Sequence, residues 1–175
     1  MSRRQAALGA TAFLIAPVTV TVLLPWWITG ARSGDPSGPW AVPLQVLGAL
    51  LIVPGVYVLL HAFVRFVVEG LGTPAPAAPP SRLVVGGFYR YVRNPMYVAI
   101  LAIVLGEALL MARPVLLLYA LAVWAAPAAF VRWYEEPHLL RVFGDEYRRY
   151  RAAVPAWIPR LRPWHPEPTT RGSGG

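Results

Sequence analysis

The chain has 175 residues, of which 57% are apolar, and its 16 basic residues are all arginine. It has no cysteine, which excludes disulfides, thiolate zinc sites and a cysteine nucleophile. The apolar fraction is too high for a soluble domain of this length. The net charge of +8 comes from arginines that flank apolar runs, which favours anionic lipid headgroups over nucleic acid as the partner.

Four apolar runs are present, at about residues 6–28, 42–68, 95–111 and 115–133. A membrane-spanning helix needs about 20 apolar residues. The first run is longer than the apolar core of a signal peptide, and no small-residue cleavage pattern follows it, so we expect it to be retained. These runs predict an all-α integral membrane protein with four transmembrane helices, in which residues 1–69 form a scaffold of two helices.

The distribution of arginine predicts the orientation. Two arginines precede the first run, three lie between the second and third runs, and six lie between residues 141 and 162, whereas each of the other two loops holds one. Positive residues concentrate on the cytoplasmic side. Both termini and the second loop are therefore predicted to be cytoplasmic, in what the arginine- and alanine-rich composition suggests is a bacterial inner or plasma membrane.

A first polar cluster opens the region 70–165, which we expect to be catalytic. After a proline-rich linker at 72–80, residues 83–97 read LVVGGFYRYVRNPMY. Pro95 is predicted in the first turn of the third helix, with Asn94 as its N-cap. The free N–H groups of that helix start, with Arg93 or Arg90, would suit a carboxylate.

Three tyrosines and a histidine on the predicted cytoplasmic side also have explanations that need no catalytic role. Tyr89, Tyr91 and Tyr97 are also typical of an interfacial aromatic belt. His61, near the cytoplasmic end of the second run, is more readily explained as an interfacial histidine than as a catalytic base.

The third run contains an acidic residue, Glu107, directly after Gly106. An ionisable side chain within an apolar span indicates a site or a buried partner. The alternative is that Glu107 lies near the far interface and pairs with Arg113. Both explanations remain open from the sequence.

A second polar cluster follows the fourth run, where Arg132 precedes Glu135 and Glu136. Arg132 and Glu136 are four residues apart, which predicts a shared helix face. Pro137 disfavours helical geometry at Glu136 and predicts a break or a bend there. A cytoplasmic amphipathic helix should then run from about Pro137 to near Val154, and residues 166–175 should be disordered. This tail by itself is also consistent with a solvated helix, but it lies on the same predicted side as the first cluster.

Together the two clusters resemble the isoprenylcysteine carboxyl methyltransferase and phospholipid N-methyltransferase superfamily of integral membrane enzymes. The resemblance covers about residues 83–159. It rests on the following segments: GFYRYVRNPMY at 87–97, Gly106-Glu107, Glu135-Glu136, Phe143-Gly144, Tyr147, Tyr150 and VPAWIP at 154–159.

The resemblance implies S-adenosylmethionine as methyl donor and a lipid-like or prenylated acceptor that enters from the bilayer, with no metal and no nucleic acid. The family's Arg-His-Pro-x-Tyr motif falls on Arg93 to Tyr97, where Asn94 replaces the usual histidine and removes a proton shuttle. Carried over by position, Arg132 and Glu136 are the catalytic candidates. The cofactor-binding candidates are Arg93, Asn94, Pro95, Tyr97, Gly106, Glu107, Glu135 and Glu136.

The chemistry of the acceptor stays open. A carboxylate acceptor needs only an arginine such as Arg132 to orient it, whereas an amine needs a general base, for which Glu107, Glu135 or His138 are available. Two other functions are also compatible with the pattern, namely a nicotinamide-dependent membrane lipid or sterol-type reductase and a non-enzymatic membrane scaffold.

Overall fold

The computed structural model describes residues 15–30, 34, 38–70 (backbone only from residue 66) and 82–165. They form five helices and no strand within those ranges, which confirms the all-α class there. The helices are α1 (Ile15–Thr29), α2 (Ala41–Gly70), α3 (Pro95–Leu110), α4 (Val115–Phe130) and α5 (Glu136–Ala153). The start of the first apolar run, the linker at 72–80 and the tail at 166–175 lie outside the described residues.

Two helical stretches are long and apolar enough to cross a membrane. One is Ala41–Arg65 within α2, and the other is the continuous stretch Val115–Ala153, which contains α4 and α5. The described part of α1 and the 16 residues of α3 are apolar but shorter. At 1.5 Å per residue, about 20 residues from Val115 already traverse a hydrocarbon core of about 30 Å. A span that began at Val115 would therefore end near Tyr134, before Glu135 and α5.

Glycine residues allow α2 and α3 to pack closely against each other. A Cβ atom built on Gly106 would lie 2.6 Å from the carbonyl oxygen of Gly48 and 2.7 Å from Cγ1 of Ile52. One built on Gly55 would lie 3.2 Å from the carbonyl oxygen of Ala99. The two backbones are thus in near contact, as is typical of helices that associate in a bilayer, where small residues permit close approach.

The chain stays helical through Pro137, so no break occurs there, and the local helix departs from α geometry just before it. Residues Val131–Glu135 form a π-helical turn in which the N–H of Glu136 donates to the carbonyl of Val131, and Glu136 keeps helical angles of −61° and −44°. Pro137 then occupies the first turn of α5, where an N–H is not required. The break lies instead at Gly144, with φ 51° and ψ −120°. The start and end of the predicted amphipathic helix are confirmed.

A C-terminal strap, residues 154–165, joins the second loop to the end of α5. The N–H of Arg93 donates to Pro155 O at 2.9 Å, that of Arg160 to Tyr91 O at 3.0 Å and that of Trp164 to Arg90 O at 2.9 Å. Because the strap follows α5 directly, these bonds hold the second loop beside that helix. The two polar clusters therefore meet.

The second loop is also held against α2. The ring of Phe88 packs edge-on against His61 at 5.1 Å and against Tyr57 at 6.0 Å between centroids. A Cβ atom on Gly87, which has a φ of 55°, would lie 2.7 Å from Nε2 of His61. His61 thus packs against the second loop, and its assignment as an interfacial histidine stays a prediction.

Candidate active site

A buried ion pair between Arg93 and Glu136 lies at the centre of the site. Nη1 of Arg93 donates to Oε1 of Glu136 at 2.5 Å, and the side chains are only 11% and 7% exposed. Arg93 comes from the second loop and Glu136 from the first turn of α5. A charge with so little exposure is stable only when it is paired and hydrogen-bonded, so this pair joins the two clusters.

Arg93 also donates hydrogen bonds to α5 and to the strap. Its Nε donates to Val154 O at 2.9 Å, and its Nη1 also donates to the hydroxyl of Tyr147 at 3.1 Å. Burial raises the pKa of Tyr147, although Arg93 opposes this, and the hydroxyl therefore keeps its proton near neutral pH. The other carboxylate oxygen of Glu136 lies 3.3 Å from Nη2 of Arg151, whose side chain is 40% exposed.

Glu135, next to this pair, carries an unused acceptor. Its Oε2 is buried and has no hydrogen-bond partner within the described part of the chain. Burial, followed by repulsion from Glu136, raises the pKa of Glu135 to about 7, while Arg93 lowers it. A buried carboxylate oxygen without a partner is costly, and such an atom in a polar cluster indicates a ligand position.

The start of α3 completes the site but differs from the prediction. α3 begins at Pro95, as expected, but the side chain of Asn94 does not cap it. The Nδ2 of Asn94 instead donates to Ala156 O in the strap at 3.1 Å. Tyr97 lies one turn later, within electrostatic reach of Glu135, and its ring is 6.3 Å from that of Trp157.

Arg132 lies outside the buried cluster. Its side chain is exposed, while Glu136 is buried and pairs with Arg93 and Arg151. No ion pair joins Arg132 to Glu136 among the described residues, and the shared helix face stays a prediction. The exposed position of Arg132 near the end of the span is compatible with contact to a lipid substrate.

Gly106 and Glu107 are not brought to the cluster. Glu107 lies twelve residues after Pro95 on the same helix, or about 18 Å along its axis. It contributes to a cavity of about 320 Å³ between α1, α2 and α3, and its Oε2 is buried without a partner among the described residues. Gly106 serves the contact with Gly48. A cofactor role for either residue stays a prediction.

The sequence assigned no role in the site to Tyr147, Arg151 or the strap carbonyls. Tyr147 and the segment 154–159 appeared only among the residues that carry the resemblance. Arg151 was one of several arginines in the tail, and nothing local distinguishes it from Arg148 or Arg149. Backbone carbonyls carry no signal in the sequence.

The region that holds the site matches a known protein family. The model of the phospholipid methyltransferase family matches residues 43–146, more than half of the chain. The chain belongs to that family. The matched region runs from the start of α2 into α5 and includes both Arg93 and the Glu135-Glu136 pair, whereas the strap lies beyond it.

One relative of the chain is the protein-S-isoprenylcysteine O-methyltransferase of Schizosaccharomyces pombe (strain 972 / ATCC 24843). The two are 40% identical over 80 residues, which are 45% of this chain and 34% of the relative. The chain thus matches about a third of the length of that protein. No solved structure matches the chain.

Proposed function

We propose that this protein is an S-adenosylmethionine-dependent methyltransferase that acts on a membrane-embedded, lipid-like acceptor. The observation that carries the proposal is the unpartnered carboxylate oxygen of Glu135, buried beside the Arg93–Glu136 pair in a member of a methyltransferase family. An oxygen of this kind suits the ammonium group or a ribose hydroxyl of the donor. Glu136, whose two oxygens already contact Arg93 and Arg151, instead positions the site.

The residues around Glu135 fit that donor. A bound S-adenosylmethionine supplies a methyl group already activated on a sulfonium. The protein must then align the reactants and exclude water. The rings of Tyr97 and Trp157 provide an aromatic wall from α3 and the strap, and aromatic faces attract cations.

An amine acceptor would require Glu135 both to bind the donor and to act as a base, which favours a carboxylate acceptor. A phospholipid amine must lose a proton to a base during methylation. Glu135 cannot hold the ammonium of the donor and take that proton at the same time. An isoprenylcysteine-like carboxylate needs no base, and Arg132, exposed near the end of the span, is placed to orient it. The name of the yeast relative, an O-methyltransferase, supports the same choice.

The proposal includes the membrane arrangement. All four apolar helices cross the bilayer, both termini are cytoplasmic, and the site lies on the cytoplasmic side. The arginines of the second loop and of α5 support this orientation, because they surround the site on one side of the predicted spans.

Calorimetric titration of S-adenosylmethionine into the detergent-purified protein tests the cofactor. We expect the wild type to bind it and Glu135→Gln to lose at least about tenfold in affinity, because the neutral amide loses a charge-assisted bond. Glu146→Gln is the matched control, since it removes an exposed carboxylate from the same helix. A folded wild type without affinity for S-adenosylmethionine would overturn the proposal, and binding of a reduced nicotinamide dinucleotide instead would support the reductase.

Transfer of a labelled methyl group then distinguishes the acceptors. We expect label to enter a farnesylated cysteine carboxylate in liposomes and not phosphatidylethanolamine. Arg132→Met should raise the KM for that acceptor and leave S-adenosylmethionine binding unchanged. Label in phosphatidylethanolamine alone would show that the acceptor is an amine and that Glu135 or another residue serves as base.

A further inference from the structure

Two arginines contact Glu136 among the described residues, namely Arg93 and Arg151. Arg93 donates to Glu136, Tyr147 and Val154 O and is 11% exposed. Arg90 instead donates from Nε to Trp164 O at 2.8 Å, and its backbone carbonyl accepts from the N–H of Trp164. Arg93 is thus buried against protein acceptors and Arg90 has no contact with either carboxylate among the described residues, although the sequence made both candidates for the carboxylate of the donor.

Arg151 differs from both. Its contact among the described residues is one oxygen of Glu136, at 3.3 Å. That distance is longer than the 2.7–2.9 Å of a strong charge-assisted bond. Its side chain is 40% exposed, and one contact to Glu136 does not use all of its five donors. Arg151 is thus held near Glu136 with donors left for a ligand.

Glu135 and Arg151 both adjoin Glu136, and their ionised side chains carry opposite charges. Glu136 follows Glu135 directly in the chain, and its Oε2 contacts Arg151. One has an unpartnered buried acceptor and the other has unused donors. The amino-acid end of S-adenosylmethionine presents the complementary pair, an ammonium and a carboxylate on one carbon.

We propose that Arg151 binds the carboxylate of S-adenosylmethionine while Glu135 binds its ammonium, with Glu136 holding the two in place. This inference rests on the proposed function and names the residues that bind the amino-acid end of the donor. Arg93 then has no contact with the donor and positions Glu136 through their ion pair.

The test compares two ligands that differ only in that carboxylate, S-adenosylmethionine and its decarboxylated analogue, by calorimetry on the full-length protein in detergent. We expect Arg151→Met to weaken S-adenosylmethionine about 10- to 100-fold, as for one charge-assisted contact, and the analogue less than about threefold. Arg151→Lys should recover part of the loss, because it keeps the charge without the planar fork.

Arg149→Met is the matched control, because it removes an exposed arginine two residues earlier on the same helix. Melting temperatures of all variants identify any that fail to fold, and Arg151→Lys then carries the comparison. Equal weakening of both ligands by Arg151→Met, or of neither, would overturn the assignment while leaving the proposed function intact. A wild type that binds neither ligand would instead overturn the proposed function.

Discussion

Breaking the Arg93–Glu136 pair should destabilise the protein more than breaking any exposed pair. Arg93→Met leaves Glu136, with a side chain 7% exposed, with only the contact from Arg151 at 3.3 Å, and removes the donors to Val154 O and Tyr147. Removing one partner of a buried ion pair costs about 3–5 kcal/mol. The remaining Arg151 contact places the expected cost near the lower end.

The double variant Arg93→Met/Glu136→Met should cost less than the sum of the two single variants. No unpaired charge then remains buried, since Arg151 is 40% exposed and can be solvated. We expect a coupling free energy of about 2–3 kcal/mol, within the range for residues in direct contact. The free energy of unfolding of each variant, measured by titrating a denaturing detergent into mixed micelles and followed by tryptophan fluorescence, gives the cycle.

An exposed pair on the same helix provides the control. Arg148 and Asp145 are 71% and 82% exposed, and Arg148→Met should therefore change the free energy of unfolding little. Additivity of the Arg93 and Glu136 variants within about 0.5 kcal/mol would refute the reasoning, because it would mean that the two side chains do not depend on each other in the folded protein.

Three further predictions concern single residues. Affinity for S-adenosylmethionine, measured by calorimetry, should rise about 15-fold from pH 5.5 to pH 7.0. The reason is that the ionised fraction of Glu135, with a pKa of about 7, grows from about 3% to about 50% over that range. An affinity that falls over this range, or a rise that persists in Glu135→Gln, would contradict the prediction. Gly106→Leu should lower the melting temperature and the yield of folded protein, at a cost of at least about 1–3 kcal/mol, because its side chain meets the backbone of Gly48. Gly144→Ala should cost about 1–3 kcal/mol through backbone strain at φ 51°, although space around it is open, and an unchanged melting temperature would show that the break at Gly144 is not required.

Local signals in the sequence were sufficient for the class of protein and for much of its helical structure. The lengths and composition of the apolar runs predicted an all-α membrane protein because a helix in lipid must satisfy every backbone group internally. The first helical residue of α3, at Pro95, and the extent of α5 followed from proline chemistry and apolar periodicity. The residues that indicated the methyltransferase superfamily were also local, and the family match agrees with them.

The tertiary structure alone decided how those residues divide the work. Arg132 is exposed, and the strap brought the side chain of Asn94 to Ala156 O instead of the helix start. The fold also gave Glu136 two arginine partners and left Oε2 of Glu135 without a partner among the described residues. A pattern of residues records only which groups are available within a few turns of chain. Which of them are paired, and which stay free for a ligand, depends on contacts between segments far apart in sequence.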